Sequence, residues 1–386
     1  MSELIVNTIS GLSDLSVGNT TVNSTVNSTS FSTGNTSITG DTLSVGNSTV
    51  NTAITSSGIT QNGLNFRVPK NYIVNPGMRI SQENGSSSST TNSYYPVDQW
   101  VFFHSQDGTL TTQQVSSATP GGSENRIRMT VTSADTSIAS GQLSTLFQSI
   151  EGLRTADLQW GTANAVDVVL RFGFKGPAGT YAVAVLNQDN NRAFIREFTI
   201  SGGDANTDTL QTLTFPGDTS GTWDKDNTTS LSITFTLATG TTYQTTADAW
   251  QAGNYFGTSS TSNGIGTTSD VFEIFDVGLY ADPDSTGVAP RFELPHYDTD
   301  LQECQRYYRV QQVFTASPVA GGMIESYALG PNVRIDNWPS SVNIFGSSNY
   351  SSYLIQNKVK NGFGMQLVAT AAGGYAIANV KINARM

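Results

Sequence analysis

Asp224 and Asp226 stand two residues apart in the run Thr222–Thr229 (TWDKDNTT), directly after Trp223. Paired carboxylates can hydrolyse a glycosidic bond, one as acid and the other as base or nucleophile. Oxygen-rich loops also hold hard cations such as calcium. A tight turn between strands uses the same residues, with Asn227 beside them. A turn is expected ahead of a calcium site, and a calcium site ahead of catalysis; no cofactor other than calcium is suggested by these residues. The rest of the reactive inventory is short. His104 and His296 are the only histidines and lie far apart, so no Ser/His/Asp relay is legible. Cys304 is the only cysteine. Arg306 is near it, but Leu301 and Tyr308 share its helical face, which points to a buried thiol. CxxC, HExxH and phosphate-cradling glycine loops are absent. No catalytic residue is expected.

The five tryptophans are Trp100, Trp160, Trp223, Trp250 and Trp338. An exposed Trp or Tyr can stack on the C–H face of a sugar ring while Asn, Asp or Arg bonds the hydroxyls. Most tryptophans are buried instead, and Trp100, opening an aromatic strand, reads as core. Trp250 and Asn254-Tyr255-Phe256 lie in a Gly/Asn/Ser/Thr-rich loop region and are sugar-platform candidates. Near the C-terminus Trp338, Tyr350 and Tyr353 sit in loop-like polar surroundings and form the leading candidate surface.

These residues need a scaffold, and the pattern of the chain is that of an all-β protein. Of 386 residues, 37% are hydrophobic and only 13% charged, with a net charge of −11. Charged residues usually make up about a quarter of a chain. Nineteen scattered Lys and Arg argue against nucleic acid or an anionic membrane as main partner. A basic leader and a long apolar run are both missing, so neither a signal peptide nor membrane insertion is expected. With one cysteine no disulfide can form within the chain.

Tyr95 through Trp100 opens an aromatic strand that runs to Phe103, and from there to about Tyr280 strands recur with two-residue alternation. Ile127, Met129 and Val131 form one face, as do Val166 through Phe174 at even positions, then Tyr181, Val183 and Val185, then Leu231 through Leu237 at odd positions. Phe272 and Ile274 point one way and Val277 and Leu279 are out of phase with them, which predicts a bulge near Phe275. One polar and one apolar face predict stacked antiparallel sheets, a β-sandwich or jelly roll over residues 67–290. Few segments there read helical, and Ser144–Ile150 is one candidate. Asp282–Ala289 reads as a linker. Asp300 with Glu303 resembles a helix cap. Strands resume after Val310, which makes residues 291–386 a linker helix and a small C-terminal β-domain.

Residues 1–66 differ. They contain neither Lys nor Arg, and LSVGNTTVN at Leu15–Asn23 recurs as LSVGNSTVN at Leu43–Asn51, 28 residues later. Single Val and Ile residues among Thr and Ser suit short repeated strands. Each strand offers too little apolar area to offset its ordering entropy. The segment is either disordered or an intertwined β-stem of identical copies; the stem, in a homotrimer, is favoured.

Several runs resemble tailed-bacteriophage tail-fibre proteins with a carbohydrate-binding-like jelly-roll module. They are MSELIVNTISG at the start, NYIVNPGMRISQENG (Asn71–Gly85) with YPVDQW (Tyr95–Trp100), FQSIEGLRTADLQWGTANA (Phe147–Ala165), GDTSGTW (Gly217–Trp223), FDVGLYADPDSTGVAPRFE (Phe275–Glu293) and LQECQRYYR (Leu301–Arg309). One departure lies at Leu279-Tyr280, where the family pattern more often has Gln-Leu-Glu. The resemblance implies a trimeric virion adhesin. Its N-terminus would join virion tail proteins and its distal C-terminal tip would meet a host surface polysaccharide. The alternatives are a structural virion fibre, such as a capsid-attached fibre or tail spacer, and a glycan depolymerase. Light scattering on the full-length protein should return three times the chain mass, and a clean monomer at micromolar concentration would rule out the trimer.

Overall fold

The computed structural model describes residues 69–317, 320, 323–329, 332–334 and 340–386, and strand segments before them. The early strands are β1 (Asp14–Gly18), β2 (Asn23–Asn27), β3 (Ser30–Thr33), β4 (Thr36–Thr39), β5 (Thr42–Gly46), β6 (Asn51–Thr55), β7 (Gly58–Gln61) and β8 (Leu64–Asn65). They pair consecutively into one eight-stranded antiparallel sheet. The sequence repeat is structural: β5 to β8 begin at residues 42, 51, 58 and 64, each 28 after the start of β1 to β4. The chain divides into two compact units, Met1–Pro69 and Lys70–Met386.

Most of the second unit is a sandwich of two antiparallel sheets. The seven-stranded sheet runs β19 (Trp250–Ala252), β16 (Arg192–Ile200), β15 (Gly179–Asn187), β18 (Thr229–Thr239), β13 (Leu143–Glu151), β10 (Trp100–His104) and β9 (Tyr94–Val97). The five-stranded sheet runs β11 (Thr109–Ser116), β12 (Asn125–Ser133), β20 (Val271–Ala281), β14 (Val168–Lys175) and β17 (Thr209–Phe215). The chain winds back and forth between the sheets, as the jelly-roll expectation requires. The expected alternation holds: Leu231, Ile233, Phe235 and Leu237 face Leu170, Phe172 and Phe174 in one core. Phe172 lies 4.9 Å from Phe235 and 5.2 Å from Phe198, ring edge to face.

The phase change in β20 is a bulge. Arg171 pairs with Gly278 and Gly173 with Phe275, so β20 carries one extra residue there, and Asp276 has φ +50°. Its carboxylate accepts Thr119 Oγ1 at 2.7 Å and the Gly121 amide at 2.6 Å. Phe275 is thereby turned to the opposite face, under the Arg126 guanidinium at 4.3 Å.

Three local expectations are corrected. Ser144–Ile150 is not helical but the body of β13, held between β10 and β18; ladder pairing on both sides overrides a short helical pattern. Residues 95–103 form a hairpin instead of one strand, turning at Asp98-Gln99 with Gln99 at φ 70°. Helix α2 (Tyr297–Gln305) begins before Asp300, and Tyr308 belongs to the next strand. Asp300 is engaged by Arg79 at 3.2 Å and caps nothing. A short helix, α1 (Gly152–Thr155), follows β13. Among the described residues no helix is long and apolar enough to cross a membrane.

The C-terminal strands form two three-stranded sheets, β21 (Tyr308–Ser317)–β26 (Gly374–Asn383)–β23 (Ser340–Ser348) and β22 (Met323–Leu329)–β25 (Gly362–Ala369)–β24 (Tyr350–Val359). Val313, Phe363, Met365, Val380 and Ile382 pack in their core. A polar seam fastens this part to the sandwich. Arg385 lies between the rings of Tyr95 and Tyr308, 3.9 and 3.8 Å from their centroids, and pairs with Glu83. Buried Glu151 accepts from Arg306 and from the Tyr307 hydroxyl at 2.9 Å.

Asp98 lies in the seam, 1% exposed, and burial pushes its carboxyl from 3.8 up to about 6. Hydrogen bonds from Gln82 and the Arg385 charge oppose that rise. The folded value lies above the unfolded one, so Asp98 favours the folded state in its protonated form. That contribution is complete below pH 4 and is lost as pH rises through about 6, a change of up to roughly 3 kcal/mol. Asp98→Asn removes the titration. The stability of the wild type relative to Asp98→Asn should fall between pH 4 and 7 in chemical denaturation, and a flat difference would refute the assignment.

Candidate functional site

The outer face of the seven-stranded sheet is set by the same alternation that builds the core. With Leu146 and Ile150 inward on β13, Thr145, Phe147 and Ser149 must face outward. With Ile233 and Phe235 inward on β18, Ser232 and Thr234 face outward beside them. The ladder aligns these residues in rows: Phe147 opposite Thr234 opposite Ala184, and Ser149 opposite Ser232 opposite Leu186. Ser149 and Ser232 share a 3.2 Å hydrogen bond.

Half of this face is covered. Ala182, Ala184, Leu186, Ala193 and Ile195 form a small apolar cluster, and Tyr255 and Phe256 pack on it. The small alanines let the 241–257 segment lie close to the sheet. Thr236 Oγ1 donates to the Phe256 carbonyl at 2.7 Å, and the Phe256 amide donates to the Tyr243 carbonyl at 2.9 Å. The Tyr243 and Phe256 rings meet edge to face at 5.7 Å.

The uncovered half is a groove of about 360 Å³, within the usual size range of small-ligand sites. Phe103, Phe147, Ser149, Ser232 and Thr234 make the floor, Tyr243, Asn254 and Phe256 one wall, and Asn187, Gln188 and Asn190 one end. Asn187 organises the end. Its Oδ1 accepts the backbone amides of Asn191 and Arg192, and its Nδ2 donates to Asn191 Oδ1 and the Thr222 carbonyl. Gln188 Oε1 is shielded from solvent and has no hydrogen-bond partner among the described residues. Among the described residues no Asp, Glu, His, Lys or Arg lines the groove. Aromatic surface with amides and hydroxyls equips it to bind a polar, ring-bearing molecule; its lining offers no acid–base pair.

The predicted candidates fall elsewhere, and two change role. Trp250 is not an exposed platform. It is half-buried against the main core, 5.6 Å from both Trp160 and Trp223 and 5.3 Å from Phe194, and its Nε1 donates to the Pro216 carbonyl at 3.0 Å. A large aromatic beside three others is buried more favourably than it is hydrated. Tyr255 packs on the alanine cluster, so its neighbours Asn254 and Phe256 line the groove in its place. Tyr350 is half-buried against the C-terminal core, whereas Tyr353 is 41% exposed beside Leu354. Trp338 lies outside the described residues.

Asp224 and Asp226 make a turn. Thr228 Oγ1 donates to both, at 2.9 and 2.6 Å, and its amide donates to Asp226. Those Thr228 hydrogen bonds hold the Asp226 carboxyl below its usual range. Among the described residues no three His, Cys, Asp or Glu side chains gather as a metal site. His104 bonds the Thr90 carbonyl at 3.2 Å, and His296 is exposed ahead of α2. Cys304 is buried with Val74, Ile80 and Tyr307, and burial pushes its thiol well up. Phe103, Phe147, Gln188 and Tyr243 were missed as site residues. The signal for Phe147 was present, because it alternates with Leu146 and Gln148 once β13 is recognised as a strand.

No family model matches the sequence, and no curated protein sequence matches it. Several solved structures do, at low similarity. The enzymatically active domain of tailspike protein 4 of bacteriophage CBA120 has 13% identity and a TM-score of 0.28 over 52% of this chain and 22% of its own. The TmCBM61 structure with β-1,4-galactotriose has 14% identity and a TM-score of 0.28, covering 55% of this chain and 99% of its own. The family 11 carbohydrate-binding module of the cellulase Lic26A-Cel5E of Clostridium thermocellum has 15% identity and a TM-score of 0.26, covering 51% and 96%. This chain thus spans less than a quarter of the tailspike domain and nearly all of the two modules. Likenesses at these scores carry no functional argument. The class rests on the sheets themselves: an all-β chain with a central antiparallel β-sandwich. Trp250→Ala should cost on the order of 3 kcal/mol and lower the melting temperature markedly by calorimetry, since it opens the Trp160–Trp223–Phe194 cluster; an unchanged melting temperature would return Trp250 to the surface.

Proposed function

We propose that this chain is a tailed-bacteriophage tail-fibre adhesin that attaches the virion to a host cell-surface glycan. The observation that carries the reading is the uncharged groove on the seven-stranded sheet, where partly exposed Phe103, Phe147, Tyr243 and Phe256 stand among amides and hydroxyls. Sugars present apolar C–H faces edged with hydroxyls, and such a lining answers both. The ordered run of fibre-like segments across residues 71–309 supports the same reading from the sequence. In it, the protein is a homotrimer of the virion, residues 1–66 join tail proteins, and binding proceeds without cleavage. Three sites on one fibre would multiply a modest single-site affinity.

Phe147→Ala tests the reading. The ring faces outward, so the melting temperature should drop far less than for Trp250→Ala. Loss of one stacking contact should weaken each site by about 1 kcal/mol, roughly fivefold, and cell adsorption by more because three sites act together. Normal adsorption by a stable Phe147→Ala fibre would remove the groove from the binding surface. Steady release of reducing ends from host polysaccharide would replace the adhesin with a depolymerase.

A further inference from the structure

On the reading that the groove binds glycan, we infer that its ligand is an uncharged glycan. The inference follows from the lining. A uronate, sialate or sulfate entering the groove would lose water and meet no Lys, Arg or His among the described lining residues; an unpaired anion in a partly desolvated site is costly. The arginine nearest in sequence to the groove's end is already committed, since Arg192 holds Asp218 through two bonds at 2.8 and 2.7 Å. Nothing in the lining offers a carboxylate for a free ammonium either.

The test uses the full-length protein on an array of neutral hexose and N-acetylhexosamine oligosaccharides, each matched by a sialylated, uronate-bearing or sulfated counterpart. Neutral members should bind, and charged counterparts should bind at least about tenfold more weakly. Affinity for the best neutral probe should change less than about twofold between about 50 and 500 mM salt, because no ion pair forms. Charged glycans that bind as tightly as neutral ones, or steeply salt-dependent binding, would overturn the inference and leave the adhesin reading standing. Silence across the whole array would overturn both the inference and the glycan-binding reading.

Discussion

The sandwich depends on the aromatic layer clamped between its sheets. Phe172, Phe174, Phe198 and Phe235 meet edge to face at 4.9 to 5.2 Å, with Trp100 and Phe272 at the margin. Rings of this size pack in few arrangements. Each ring fixes the phase of its strand, and because side chains alternate, a residue committed inward commits its neighbours outward. Phe235 in the core therefore places Thr234 on the outer face, and Leu146 places Phe147 there. The groove is the complement of the core, with no separate device needed to build it.

The covering segment then gives the face its shape. Alanines at 182, 184 and 193 bring residues 241–257 close on one half of the sheet, while Phe103 and Phe147 remain open on the other. Charge is scarce in this chain, and none of the described residues lining the groove carries one. Ion pairs mark the seam with the C-terminal sheets, among them Arg79–Asp300, Arg306–Glu151, Arg154–Glu303 and Arg385–Glu83. Buried and partly buried pairs of this kind fix how two surfaces dock more than they add net stability. A seam of directional ion pairs, with Arg385 stacked between two tyrosines, thus orients one β-structure on another.

The sequence by itself determined the all-β class, the inward faces of β12, β14, β15 and β18, the bulge in β20, and the repeat of 28 residues that the early strands follow. All of these are local: a period of two, or a string that recurs, is readable without knowing what packs on it. The buried state of Cys304 and Trp100 was legible for the same reason. Tertiary structure alone decided which outward face is open. Phe147 and Trp250 are both aromatics in polar surroundings, and no local pattern separates them. Both are half-buried. Phe147 lines the groove because the covering segment stops short of it, whereas Trp250 packs among Trp160, Trp223 and Phe194, which arrive from three distant stretches of chain. The helical pattern of Ser144–Ile150 yielded to ladders with β10 and β18, and Asp300 was taken from its cap by Arg79, more than 200 residues away. Such outcomes depend on partners brought together by folding, which is why spacing along the chain did not reveal them.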